Sequence, residues 1–456
     1  MMREPLFNLL PRPQPVALTG RRVLVLGLGD TGLSVARWIE HQGGTVRVAD
    51  TRESPPRRDD FAGELHTGPF SAGLLQGIDL LCLSPGLPLA DPVVQKALQL
   101  DIPVVGDIEL FAWHVRQKSR VLAITGTNGK STVTALTGHL LRKAGLDCEV
   151  AGNIGPAVLD ASLRRSAPPT AWVLELSSYQ LETTWSLDPD AAAMLNLTED
   201  HLDRYAGLAE YGAAKARIFM GSGIQVLNRD DRRSLAMAQP GRTRITFGLD
   251  APATGEDFGV AAGVVVQGRT PLLGVDELPI RGWHNVANAL AACALARTLG
   301  VSHQALAEGL RSFHGLAHRL QLVASRNGVD WYDDSKGTNV GATVAALRGL
   351  GKKTILILGG DGKGQDFSPL AEPVSQFARR VLLIGRDAPR IAAALKGSGV
   401  KLEDCGSLEE AVEKALRNAA PGDAVLLSPA CASWDMFRDY RHRGEIFAAA
   451  VKRLLA

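Results

Sequence analysis

The sequence predicts an α/β protein of several domains, on three observations. Residues 22–39 read as strand, glycine turn and helix; residues 120–142 repeat that pattern around a phosphate-loop type of turn; and after residue 330 short apolar strands end in glycine- and hydroxyl-rich loops. In a parallel sheet such loops gather at the carboxyl ends of the strands, where open α/β sheets bind ligands. At 456 residues the chain is too long for one core and divides into two to four domains.

The most informative stretch is Ile124-Thr125-Gly126-Thr127-Asn128-Gly129-Lys130-Ser131-Thr132. It follows an apolar run, Arg120 to Ile124, and precedes Val133, Leu136, Leu140 and Leu141 at helical spacing. Backbone N–H groups of such a turn at a helix start form an anion site, Lys130 can reach outer phosphates, and Ser131 can ligate Mg²⁺. A nucleoside triphosphate is the expected ligand. Ile124 stands where the longer phosphate-loop pattern has glycine, so this is a shorter variant anchored on Gly126 and Gly129.

In the first unit, Arg22 to Leu26 leads into Gly27-Leu28-Gly29-Asp30-Thr31-Gly32, then a helix, a strand at Val46 to Ala49, and Asp50. The spacing suits a dinucleotide, and it suits the diphosphate of a nucleotide sugar equally. Ile78 to Ser84 predicts another strand, ending in Ser84-Pro85-Gly86.

In the centre, Glu175 lies within the apolar run Trp172 to Leu176, where an acid needs a salt bridge or a metal. His201 sits among acids in the loop Asn196 to Asp203. Leu208, Tyr211, Gly212, Lys215 and Phe219 share one helix face, so Lys215 points with the apolar residues, as a site group or as a snorkelling edge lysine. Asn285 and Asn288 share a face near the start of an alanine-rich helix, placed to read a base edge or to cap it. Residues 251–268 are glycine-rich and without clear periodicity. In the last unit the loops of interest are Asp334 to Asn339, Gly359 to Gly364 and Ser428 to Asp435.

Fifty Lys and Arg against 48 Asp and Glu leave a formal charge of +2, so nothing pulls the chain as a whole toward nucleic acid or anionic membrane. Five scattered cysteines without C-x-x-C spacing argue against a disulfide framework or zinc site and fit a reducing cytoplasm. No run reaches the roughly 18 apolar residues of a membrane span. Met1 to Leu18, with four prolines, reads as an unstructured or loosely docked leader.

Taken together, these motifs resemble the Mur ligases of peptidoglycan synthesis, and among them the branch that adds D-glutamate. The resemblance covers nearly everything after the leader. It implies a Rossmann-like N-terminal domain for the UDP end of the substrate (19–110), a central P-loop-type ATPase domain (111–315), and a Rossmann-like C-terminal domain for the amino acid (316–456). It implies an ATP-dependent ligase that joins D-glutamate to UDP-N-acetylmuramoyl-L-alanine through an acyl phosphate, acting as a monomer on small molecules alone.

By the same resemblance, Asp30, Thr31, Asp50, Thr51, Arg52, Gly86, Asn153 and His201 face the UDP substrate. Gly126, Thr127, Asn128, Gly129, Lys130, Ser131 and Thr132 take the phosphates of ATP, with Asn285 and Asn288 near adenine and Arg319 and Asp334 near ribose. Ser131 and Glu175 match ligands of one Mg²⁺, and His201 and a carbamylated Lys215 those of a second. Lys336, Thr338, Lys363, Ser433 and Tyr440 match the D-glutamate site, although Tyr440 stands where phenylalanine is usual. A sibling ligase for another amino acid is disfavoured by the run Asp334 to Asn339. A non-catalytic nucleotide-sugar sensor would not need Lys130, Glu175, His201 and Lys215 together.

Overall fold

The computed structural model describes residues 4–115, 118–201 and 203–455; the leader's first three residues and Leu202 of the His201 loop lie outside them. Three sheets follow one another along the chain. The first is all parallel, in the order Glu64–Thr67, Thr45–Asp50, Arg22–Leu26, Leu80–Leu83, Val104–Val105. Its central strand is buried on both faces, and Leu33, Val35, Ala36, Trp38 and Ile39 of the helix Asp30–His41 pack in the same core. Gly27 has φ +92°, and a Cβ on Gly32 would collide with the Gly27 carbonyl, so strand end and helix start approach as closely as only glycine allows.

The middle sheet has nine strands. Seven are joined by parallel pairing: Phe258–Ala261, Arg244–Phe247, Ile224–Asn228, Ala191–Met194, Arg120–Thr125, Ala171–Glu175 and Cys148–Gly152. The helix Lys130–Lys143 buries Val133, Leu136, Leu140 and Leu141 and packs against Trp283–Arg297, whose alanines permit a close approach. The segment without periodicity is ordered: Phe258–Ala261, Val264–Gln267 and Thr270–Gly274 extend the sheet, the last two pairings antiparallel. Strands of four or five residues are too short to print a clear pattern in sequence. The third sheet runs Gln321–Arg326, Val329–Asp333, Ala424–Leu427, Thr354–Gly359, Ala378–Ile384, Lys401–Asp404, parallel except for its first pair.

The leader is not loose. Leu6–Leu9 forms one helical turn, and Phe7, Leu10 and Leu18 are buried in the core shared by the first sheet and one face of the middle sheet. The Arg217 guanidinium lies 5.6 Å from the Phe7 ring centroid and 5.3 Å from that of Trp185. Prolines in the leader exclude a long helix, but three spaced apolar side chains are enough to dock an extended segment.

The join between the first two sheets is made by the helix Asp107–Val115, which buries two acids. Glu109 Oε2 accepts from Trp185 N at 2.6 Å and Ser186 N at 2.8 Å. Asp107 Oδ2 accepts from Gln180 Nε2 at 3.0 Å, while Oδ1 has no partner. Burial pushes the Asp107 carboxyl up to about 6, against the pull of its hydrogen bonds.

Two outcomes follow from this packing. Phe7→Ala removes about 3 kcal/mol of burial and lowers the calorimetric unfolding temperature, whereas Leu9→Ala, at a 61% exposed position of the same turn, leaves it in place. Because native Asp107 holds its proton to higher pH than the unfolded chain does, wild-type stability falls as pH rises from about 4 through about 6. Asp107→Asn cannot ionise, so its stability relative to wild type should rise by about 1 to 2 kcal/mol between pH 5 and pH 8, read from denaturant midpoints at the two pH values.

Candidate active site

The phosphate loop lies between the central strand Arg120–Thr125 and the helix Lys130–Lys143. Gly129 has φ +86°, and a Cβ there would collide with Asn288 Oδ1, so the loop and the alanine-rich helix are in contact. Asn196 braces the turn: its Oδ1 accepts from Asn128 N at 2.8 Å, its Nδ2 donates to Asn128 O at 3.0 Å, and its carbonyl accepts from Thr127 N. Asn285 donates to the Arg281 carbonyl and accepts from Asn288 at 3.1 Å, so its side chain engages the preceding turn while Asn288 faces the loop.

Lys130 folds back over its own loop, donating from Nζ to the carbonyls of Gly126 at 2.9 Å and Thr127 at 2.8 Å. Lys215 is fully buried and donates to the same Gly126 carbonyl at 2.8 Å, with Nζ 4.7 Å from the Tyr211 ring centroid. Burial, then the nearby Lys130 charge, drives the Lys215 pKa well below that of a free lysine. Burial likewise lowers Lys130, partly offset by Glu175 and Asp200. Lys215 is therefore inside the site, not at the edge of its helix face.

Glu175 ends the strand Ala171–Glu175. Its Oε1 accepts from Asn153 Nδ2 at 2.7 Å, and its Oε2 is buried without a partner. An orphaned carboxylate oxygen beside a phosphate loop is an unused acceptor, and a hard cation fits it. Among the described residues no group of three or more His, Cys, Asp or Glu side chains is disposed to hold a metal. A cation here would take Glu175 and Ser131 on the protein side and complete its shell with phosphate oxygens and water, as Mg²⁺ does at nucleotides.

His201 has φ +56° and shares a 2.7 Å hydrogen bond between its Nδ1 and the Tyr179 hydroxyl. Burial lowers its pKa, and its Nε2 stands 3.8 Å from Asp200 Oδ2. Asp200 is a site residue that the motif search passed over. It accepts from Asn339 Nδ2 at 3.1 Å, and Asn339 also donates to Asn128 Oδ1 at 3.1 Å, tying the third sheet's loop to the phosphate loop. Arg319 makes a second tie: its Nη2 donates to Ser131 Oγ at 2.6 Å, which places it at the phosphate end of the loop.

Asp30, Thr31, Asp50, Thr51, Arg52, Gly86 and Asn153 line one cavity of about 750 Å³, within the range for a small-molecule site. His201 does not line it. Asp50 is occupied: it accepts from Leu28 N at 2.7 Å and twice from the Arg52 guanidinium at 2.8 and 2.6 Å. Burial works against its charge, but these bonds win and hold the carboxyl well below its usual range.

In the third unit, Lys336 lies with Nζ 3.9 Å from the Tyr440 ring centroid, and burial lowers it to about 8. Tyr440 thus meets this loop through its ring as well as its backbone, whose carbonyl accepts from Ser335 Oγ at 2.7 Å. Thr338 N donates to the Lys336 carbonyl, Lys363 is exposed with φ +48°, and Ser433 is buried. Asp334 accepts from Ser428 Oγ at 2.7 Å and Leu320 N, and burial raises it to about 7. Arg443, also missed, is fully buried and fastens two of these loops, donating to Ser335 Oγ and O and to Cys431 O.

Comparison with known proteins bears on the whole assembly. Residues 21–106 match the family model for the Mur ligase MurD-like N-terminal domain, 124–296 the Mur ligase middle domain, and 318–431 the Mur ligase glutamate ligase domain. A UDP-N-acetylmuramoylalanine–D-glutamate ligase of Nitrosospira multiformis is 55% identical over 96% of this chain and 97% of its own length. The protein of the same name from Thiobacillus denitrificans is also 55% identical, over 96% and 98%. Among solved structures, MurF from Acinetobacter baumannii superposes with a TM-score of 0.62 over 96% of this chain and 91% of that one, at 18% identity, a likeness of fold. With three successive domain models matched and relatives above half identity over almost the full length, the chain belongs to the Mur ligase family.

Proposed function

We propose that the protein is an ATP-dependent ligase that forms the amide bond between D-glutamate and the L-alanyl carboxylate of UDP-N-acetylmuramoyl-L-alanine, in the cytoplasmic synthesis of peptidoglycan precursors. The observation that carries the reading is the convergence of Lys130, Lys215 and the free oxygen of Glu175 at the phosphate loop, between a nucleotide-sized cavity and the Lys336 loop. The names of the relatives above half identical over almost the whole chain support the same substrates.

A carboxylate is a poor acylating agent because its leaving group would be oxide. Its oxygen therefore attacks the γ-phosphorus of ATP, the bond to the β,γ-bridging oxygen breaks, and acyl phosphate and ADP result. The amine of D-glutamate then attacks the acyl carbon, the C–O bond to phosphate breaks, and the amine's proton leaves with the solvent or a base.

The first step brings anions together, and buried cations at fixed positions lower its cost. Lys130 leaves the Gly126 and Thr127 carbonyls for the phosphates. Lys336 lies toward the incoming amino acid, with Thr338, Lys363, Ser433 and Tyr440 about it. Asn285 and Asn288 face the base, and Asp334 and Arg319 stand beside the nucleotide. Mg²⁺, when bound, supplies Lewis-acid neutralisation of the phosphate charge; Ser131 and Glu175 would hold one ion, and His201 with Lys215 a second. For that role Lys215 must become an anion. A neutral amine can add CO₂ and release a proton, giving a carbamate, and the burial that lowers the Lys215 pKa favours the neutral amine.

Phosphate release in the presence of ATP, Mg²⁺ and UDP-N-acetylmuramoyl-L-alanine should occur with D-glutamate and not with L-glutamate, L-lysine or meso-diaminopimelate. Turnover with another amino acid would assign a sibling specificity; nucleotide binding without phosphate release would sink the ligase reading. Lys215→Ala should lower kcat by about a hundredfold or more, with partial recovery in acetate or formate. A ¹³C carbamate signal from ¹³CO₂ should be present in wild type and absent in the variant. A variant of undiminished rate would remove Lys215 from the mechanism.

A further inference from the structure

The cavity assigned above to the nucleotide sugar has five arginines in its wall: Arg37, Arg52, Arg57, Arg164 and Arg441. Three are neutralised locally. Arg52 pairs with Asp50 at 2.6 Å, Arg57 with Asp30 at 2.6 Å, and Arg37 approaches Asp160 at 3.9 Å. Arg164, at the end of the short helix Val158–Leu163, and Arg441, in the first turn of Tyr440–Leu455, have no carboxylate partner among the described residues. Both are exposed to the cleft.

Arg441 is singular in a second way. The rest of the lining comes from the first unit and from residues 152–180 of the middle one, and Arg441 is the one lining residue from the third unit among those described. Its Cζ lies 5.4 Å from the Tyr440 ring centroid, and the other cation on that ring is Lys336 of the amino-acid loop. Tyr440 thus separates two cations, one turned to the amino-acid loop and one to the cavity. Two unpaired guanidinium groups facing a shared cavity from different units suit a ligand with two adjacent anionic centres, since each can donate two hydrogen bonds to phosphoryl oxygens.

We propose that Arg164 and Arg441 bind the diphosphate of the nucleotide-sugar substrate from opposite sides, so that the substrate itself bridges the third unit to the other two. The inference rests on the cavity being the nucleotide-sugar site. It gives Arg441 a role in substrate affinity, and through the shared Tyr440 ring it links that affinity to the placement of Lys336. Neither arginine touches the phosphate loop, so ATP binding is independent of both.

The test uses the full chain and three probes, UDP, UMP and uridine, titrated calorimetrically into wild type, Arg441→Ala, Arg441→Lys and Arg164→Ala. Both positions are exposed, and matching circular dichroism and thermal midpoints establish that the variants fold. Wild type should bind UDP, and each alanine variant should bind it about tenfold more weakly, with uridine affinity unchanged and Arg441→Lys between. The gap between wild type and variant should shrink at high ionic strength. In turnover, KM for the UDP-linked substrate should rise by a similar factor while KM for ATP holds. Wild type that binds UDP with all variants equal to it overturns the role of the two arginines alone; wild type that does not bind UDP overturns the assignment of the cavity and this inference with it.

Discussion

Two buried lysine nitrogens donate to one carbonyl oxygen, that of Gly126, and much of the structure is arranged around that crowding. Lys130 and Lys215 come from two different helices; burial lowers the proton affinity of both, and the Lys130 charge lowers that of Lys215 further. Glu175 and Asp200 offset the charge only in part. A buried excess of positive charge is costly unless a ligand cancels it. A triphosphate would supply several negative charges, and the carbamate proposed on Lys215 would add another. Such an imbalance favours an anionic ligand.

The crowding is held in place by bonds that cross between the three sheets. Asn339 reaches Asn128 and Asp200, Arg319 reaches Ser131, and Gln180 joins Asp107 to the wall of the nucleotide-sugar cavity. Each bond is modest by itself, about 1 kcal/mol net. Asn339 and Arg319 tie the third unit directly to the phosphate loop, at Asn128 and Ser131. The first and middle units are joined more firmly, through the buried helix Asp107–Val115 and the docked leader.

Charge is distributed unevenly over this frame. Asp50 and Asp30 each hold an arginine of the cavity wall, whereas Arg164 and Arg441 are left for a ligand. In the third unit Arg443, buried and lowered to about 10, ties Ser335 to Cys431 so that the Lys336 loop is presented on a rigid base. Its guanidinium is satisfied by carbonyls and a hydroxyl, with Asp333, Asp334 and Asp435 close to it in space.

What the sequence determined by itself was local. Strand, glycine turn and helix at 22–39 and 120–142 were legible because apolar periodicity and glycine placement are properties of neighbours in the chain, and Lys215 was marked by the helix face it shares. The short antiparallel strands after Phe258 and the docking of Phe7 were not, since neither leaves a periodic trace. Only the tertiary structure decided that Lys215 meets the Gly126 carbonyl, that Glu175 keeps an oxygen free, that Asp200 and Asn339 close on the phosphate loop, and that Arg441 enters a cavity built by the other two units. The physical reason is that charge interactions and burial depend on distance in space, and residues 89 to 414 positions apart are brought together here by sheet order and by the packing of three units.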